Sequence, residues 1–200
     1  MRECYHRPML RICVFAGANA GARAEYLEAA RELGTEIARR GHGLVYGGGA
    51  RGLMGACADA ALASGGEVVG VLPRALFARE VVHTGLTELR FVSSLHERKA
   101  VMSALSDAIV ALPGGCGTLD ELFEAITWSQ LGLHEKPIGL FDAGGGYYAK
   151  LDAFLEHMAA EGFVKPPLRL VRAGTAAALL DRLVAAPPVA PKREGPPPLP

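Results

Sequence analysis

Short apolar runs that recur along the chain, each followed by a longer stretch of helical period, constrain the fold more than any other feature. The runs are Leu10–Ala16, Gly43–Tyr46, Val68–Leu72, Leu89–Val92, Ala108–Leu112, Ile138–Phe141 and, more weakly, Leu168–Val171. Most are continuous rather than alternating apolar with polar, which is the pattern of strands buried on both faces of a parallel sheet. Between them lie segments rich in Ala, Leu, Glu and Arg: Arg23–Arg40, Leu53–Ser64, Leu95–Leu105, Leu119–Leu131, Tyr147–Glu161 and Thr175–Ala185. Strands alternating with helices predict βαβ units and an α/β fold with a doubly wound, mostly parallel sheet. Two hundred residues fit a single domain with a core of its own. We place that domain at residues 1–186 and read residues 187–200 as a disordered or polyproline-like tail, because seven of those fourteen residues are proline.

Charge narrows the partners. Lys+Arg and Asp+Glu both number 21, so the chain carries no bulk positive field for nucleic acid, and a bound phosphate would be held locally on one small molecule. No apolar run reaches the roughly 18 residues needed to span a bilayer, so no membrane partner is expected. The N-terminal residues show no signal-peptide apolar region. The four cysteines, Cys4, Cys13, Cys57 and Cys116, form no C-x-x-C pair, and neither they nor the six histidines show metal-ligand spacing. Free thiols in a reducing cytoplasm are the simplest account, and no metal is expected.

Three strand ends carry glycine: Ala16-Gly17-Ala18-Asn19, Gly47-Gly48-Gly49-Ala50-Arg51-Gly52, and Pro113-Gly114-Gly115-Cys116-Gly117-Thr118. Ligands of open α/β sheets bind beyond the carboxyl ends of the strands, where glycine lets the backbone turn and a following helix offers unpaired N–H groups to an anion. The second loop holds a literal G-x-G-x-x-G, but it does not follow the first strand, and no acid stands at the end of the next strand to bind a ribose. That context argues against a dinucleotide. In the third loop, Thr118 and Glu121 fit a T-x-x-E capping box at the start of a helix, which alone would explain both residues. A cap does not explain the three glycines and the proline before it. A carboxylate near a bound phosphate, aimed away from it, would be placed to act on a sugar attached to that phosphate. Upstream, Ser94 and Glu97 form a second capping box, which puts Arg98 and Lys99 in a first turn where the helix dipole disfavours cations. Arg98 also falls on the inward line Leu95–Arg98–Met102–Leu105.

These motifs resemble a known family. Pro113-Gly114-Gly115-x-Gly117-Thr118-x-x-Glu121, preceded by His96-Glu97-Arg98-Lys99, is similar to the Lonely Guy family of cytokinin riboside 5′-monophosphate phosphoribohydrolases, long mislabelled as lysine decarboxylases. The resemblance extends through Gly47–Gly55, His83-Thr84-Gly85-Leu86-Thr87, Thr127-Trp128-x-Gln130-Leu131-Gly132, Lys136-Pro137 and Glu161-Gly162-Phe163, and covers residues 10–182. It implies a Rossmann-like fold, a homodimer, and hydrolysis of a purine nucleoside monophosphate without metal or cofactor. By position it makes Arg98 and Glu121 the catalytic pair. It also assigns Gly115, Cys116, Gly117, Thr118, Leu119 and Asp120 to the nucleotide, with Glu80, Lys99 and Thr127 completing the binding set. The chain departs from the family in having Cys116 where Tyr is common, and Asp120 where Glu is common. The first departure bears on base preference more than on chemistry.

The implied reaction passes through a transition state with positive charge on the ribose. Glu121 is expected to stabilise that charge and direct water, Arg98 to orient the nucleotide and meet the departing charge, and the glycine loop with Thr118 to hold the 5′-phosphate. Against this stand three other readings. A pyridoxal-dependent decarboxylase would need a Schiff-base lysine, and of five lysines only Lys99 lies in a motif. A non-enzymatic nucleotide sensor would need no paired carboxylate and guanidinium. A dinucleotide oxidoreductase ranks third. The apolar region around Ile126, Trp128 and Leu131 is the candidate dimer face.

Overall fold

In the computed structural model the described residues are 9–76, 82–143, 145–164 and 168–187, so Glu80 and residues 188–200 of the tail lie outside them. Seven strands form one sheet: β1 (Arg11–Phe15), β2 (Gly43–Tyr46), β3 (Val68–Pro73), β4 (Glu88–Val92), β5 (Ala108–Ala111), β6 (Ile138–Leu140) and β7 (Leu170–Arg172). Their order is β4-β3-β2-β1-β5-β6-β7, and every pairing is parallel. Each expected strand is present. The seventh begins two residues later than its apolar run, at Leu170, because Arg169 interrupts that run.

The helices are α1 (Ala24–Arg39), α2 (Gly52–Ala63), α3 (Leu95–Ala104), α4 (Cys116–Gln130), α5 (Ala149–Ala160) and α6 (Ala176–Ala185). They cover the two faces of the sheet, and β1 shows why its apolar run is unbroken. Ile12 and Val14 point into a core shared with α1, α2 and α6. Cys13 and Phe15 point into a second core shared with Met102 of α3 and Leu122, Ala125 and Ile126 of α4. Successive side chains of a strand face opposite ways, so a strand covered on both sides must be apolar at every position.

Ion pairs tie elements together across the surface. Arg40 pairs with Glu36 on its own helix and with Asp181 of α6, holding the last helix against α1. No described helix is long and apolar enough to cross a membrane.

Candidate active site

The strand order places β1 beside β5 at the centre, with the chain winding outward from each in opposite directions. Their carboxyl ends therefore flank the topological switch point, where such sheets open a crevice. All three glycine loops meet at this point. The N–H of Gly17 donates to the carbonyl of Pro113 at 3.0 Å, and the Gly17 carbonyl accepts from the N–H of Leu53 at 2.9 Å. Gly52 has φ +61°, and a Cβ there would fall 2.4 Å from the carbonyl carbon of Ala18. Only glycine allows that approach. A cleft of about 200 Å³ opens between the loops, lined by Ala18, Asn19, Tyr26, Leu53, Gly115 and Tyr147 among others.

Helix α4 begins at Cys116 with Gly115 as its N-cap, three residues earlier than the apolar periodicity indicates. This overturns the T-x-x-E capping box. Thr118 is the third residue of the helix and Glu121 the sixth, so neither caps it, and Gly115 has no side chain to do so. Hydrophobic periodicity could not find this start, because Cys116, Gly117 and Thr118 carry no apolar stripe. The first intrahelical bond runs from the N–H of Leu119 to the carbonyl of Gly115 at 3.1 Å. Helical geometry then leaves the N–H groups of Cys116, Gly117 and Thr118 without a partner in the helix. Gly115, Cys116 and Gly117 are exposed, and open space surrounds both glycines. Thr118 is buried. Leu119 is half-buried and packs against the second core.

Ser94 caps α3 as expected, its hydroxyl accepting from the N–H of Glu97 at 3.1 Å, while the Glu97 carboxylate accepts from the N–H of Ser93, one residue before the cap, at 2.7 Å. The cap fixes the start of α3 and with it the inward direction of Arg98, which is only 8% exposed. Its Nη2 lies 3.4 Å from Oε1 of Glu121, and its Nε is buried without a hydrogen-bond partner among the described residues. The guanidinium rests on Gly47, where a Cβ would fall 2.0 Å from Nη2. Two residues distant in sequence but placed together by family resemblance are thus in contact.

Lys99 turns to the other side. Its ammonium lies 3.0 Å from both Asp120 and Glu124. Burial opposes that charge, yet the two carboxylates raise the Lys99 pKa above its ordinary value. Asp120 is therefore directed at Lys99. Glu124, which the sequence did not single out, completes the pair because it stands one helical turn after Asp120. Thr127 is exposed on α4 and donates its hydroxyl to the carbonyl of Phe123 at 2.7 Å. Nothing in the described residues brings it to the Arg98–Glu121 pair. Cys13 and Cys57 are buried, and burial pushes the thiol of Cys57 up to about 12 and that of Cys13 higher still, with Glu121 adding to the rise at Cys13. Neither thiol is a nucleophile at neutral pH. Among the described residues, no group of three metal-binding side chains occurs.

The model of a family described as "possible lysine decarboxylase" matches residues 54–182. The chain is 51% identical over 175 residues to the probable cytokinin riboside 5′-monophosphate phosphoribohydrolase LOGL1 of Oryza sativa subsp. japonica, a match covering 86% of this chain and 78% of that protein. It is 47% identical to cytokinin riboside 5′-monophosphate phosphoribohydrolase LOG1 of Arabidopsis thaliana, covering 86% of this chain and 82% of that one. The chain belongs to the Lonely Guy family. A molybdenum cofactor carrier protein of Chlamydomonas reinhardtii has the same Rossmann-like fold, with a TM-score of 0.68 and 23% identity over 90% of this chain and 100% of that one.

The lysine decarboxylase description of this Lonely Guy family does not fit the lysines here. A Schiff-base lysine needs a depressed pKa, and that of Lys99 is raised by two carboxylates. The pKa of Lys136 is lowered by burial, but it donates to the carbonyl of Ser103 and precedes β6, at the amino ends of the strands and so at the opposite end of the sheet from the glycine loops. Neither Lys99 nor Lys136 is built to carry pyridoxal phosphate at the switch point.

Proposed function

We propose that this chain hydrolyses the N-glycosidic bond of a purine nucleoside 5′-monophosphate to free base and ribose 5-phosphate, the activity its Lonely Guy relatives are named for. The observation that carries the proposal is the contact between Arg98 and Glu121 beside the open N-terminus of α4. The phosphate sits on the N–H groups of Gly115, Cys116, Gly117 and Thr118, where the helix dipole favours an anion. Leu119 and Asp120 follow in the same turn, and Lys99, Thr127 and Glu80 complete the binding set. AMP and N6-substituted purine monophosphates are the proposed substrates, with Cys116 beside the base. A second copy packs on the end of α4. Leu131 and Leu133 are each 68% exposed there, whereas Ile126 is buried in the core and takes no part. The free cysteines accord with a cytoplasmic location.

In the reaction, the C1′–N9 bond breaks with its electron pair going to the base, while water adds its oxygen to C1′. The carboxylate of Glu121 lies against the developing sugar cation and takes up the water's proton. The guanidinium of Arg98, whose buried Nε–H has no hydrogen-bond partner among the described residues, holds the nucleotide and meets the charge on the departing base. The proton then passes to the base, which completes the balance.

Product analysis across a panel of monophosphates and their nucleosides tests the assignment. AMP is expected to yield adenine and ribose 5-phosphate, and adenosine to be turned over far more slowly, because phosphate binding energy positions the bond for attack. Equal turnover of the two would remove the phosphate anchor. Activity is also expected to be unchanged after exhaustive dialysis against EDTA; a loss restored by added metal would contradict the roles assigned to Glu121 and Arg98.

A further inference from the structure

Two tyrosines in the turn before α5 reach across to the β5–α4 loop. Tyr148 is buried, and its hydroxyl donates to the carbonyl of Leu112 at 2.6 Å. The hydroxyl of Tyr147 donates to the carbonyl of Gly114. The two rings meet edge to face, with centroids 5.0 Å apart. Tyr26 of α1 packs edge-on against the other side of Tyr147, at 5.7 Å. Arg23 lies over the Tyr26 ring at 4.6 Å and bonds to its hydroxyl, so the brace around Tyr147 extends to a third element.

The carbonyl of Gly114 and the N–H of Gly115 belong to one planar peptide group and point in opposite directions across it. That group lies between two glycines, so it can rotate about its long axis with little steric resistance. Holding the carbonyl therefore holds the N–H. A hydrogen bond accepted by the carbonyl also polarises the amide and makes its N–H a stronger donor. The N–H in question belongs to the N-cap of α4, the position from which the phosphate site is built.

We propose that Tyr147 is a positioning residue that fixes the Gly114–Gly115 peptide plane and so aims the Gly115 N–H at the substrate's 5′-phosphate. This rests on α4 being the phosphate site. Tyr148, bonded two residues earlier to Leu112, fixes the end of β5 instead and serves stability.

Tyr147→Phe tests this, since it keeps the ring contacts and removes only the hydroxyl. Steady-state kinetics with AMP, competitive inhibition by inorganic phosphate, and thermal melting are measured for the parent, Tyr147→Phe and Tyr148→Phe. For Tyr147→Phe, KM for AMP and the inhibition constant of phosphate are expected to rise together by roughly 5- to 10-fold, the range for weakening one hydrogen bond to a charged group. Its kcat should stay within about twofold and its Tm should not move. Tyr148→Phe should lower Tm and leave the phosphate constant near the parental value. Parental KM and phosphate inhibition in Tyr147→Phe would overturn the proposal, as would a loss confined to kcat and Tm. If the parent itself is not inhibited by phosphate and does not prefer AMP to adenosine, the phosphate site falls and this inference with it.

Discussion

Glu121→Gln is expected to lower kcat for ribose 5-phosphate release from AMP by about 10²-fold or more, the usual cost of losing a general acid–base group. Position decides what the substitution removes. Glu121 is the sixth residue of α4, beyond the first turn, so glutamine costs the helix no cap. Glutamine has nearly the same volume, and the Glu121 side chain is only 13% exposed, so packing is preserved while the charge is lost. A neutral amide neither stabilises a sugar cation nor takes a proton from water. Arg98 loses its carboxylate partner at 3.4 Å, so a modest fall in Tm should accompany the change. Bound AMP then supplies the missing negative charge, and AMP affinity should hold or tighten. Asp120→Asn is the control. Asp120 immediately precedes Glu121 but points toward Lys99, is exposed, and shares that lysine with Glu124. Its neutralisation should change kcat by no more than a few-fold. Near-parental turnover in Glu121→Gln would leave the protein better described as a nucleotide binder than as a hydrolase.

The fold was legible because β2, β3, β5 and β6, and β1 after Arg11, are buried at every position and leave a continuous apolar signal, which a parallel sheet demands and few other structures produce. The start of α4 was not. Its first turn consists of Cys116, Gly117 and Thr118, residues with weak helix propensity and no apolar period, so Leu119 looked like the beginning and Thr118 like the cap. The site was legible as a set of motifs and illegible as a contact. Arg98 and Glu121 are separated by a strand and two loops, and no spacing rule joins them. They meet because α3 and α4 cover the same face of the sheet, each started at the right register by the residues before it. Tyr147 left no local signal at all, since its role depends on a carbonyl 33 residues away.

Gly47→Ala is expected to lower kcat by about 10²-fold while leaving the protein folded, although glycine brings no side chain to the reaction. Gly47 is not among the glycines with positive φ, so its backbone accepts alanine without strain. The new methyl would lie 2.0 Å from Nη2 and 2.9 Å from Cζ of Arg98. Both distances are far inside van der Waals contact, and the end of a long side chain yields more readily than two packed loops. The guanidinium therefore moves by something on the order of 1 Å, a displacement that can cost 10²-fold when a catalytic group must meet its target in one geometry. Circular dichroism should be unchanged and Tm only slightly lowered. The decisive comparison is a double-mutant cycle with Arg98→Ala. Without the guanidinium, the methyl at position 47 meets nothing at those distances, so Gly47→Ala should add almost no further loss in the Arg98→Ala background. A full additional 10²-fold in that background would mean that alanine damages the glycine loop itself. Parental activity in the single variant would mean that the position of Arg98 against Gly47 does not govern the reaction.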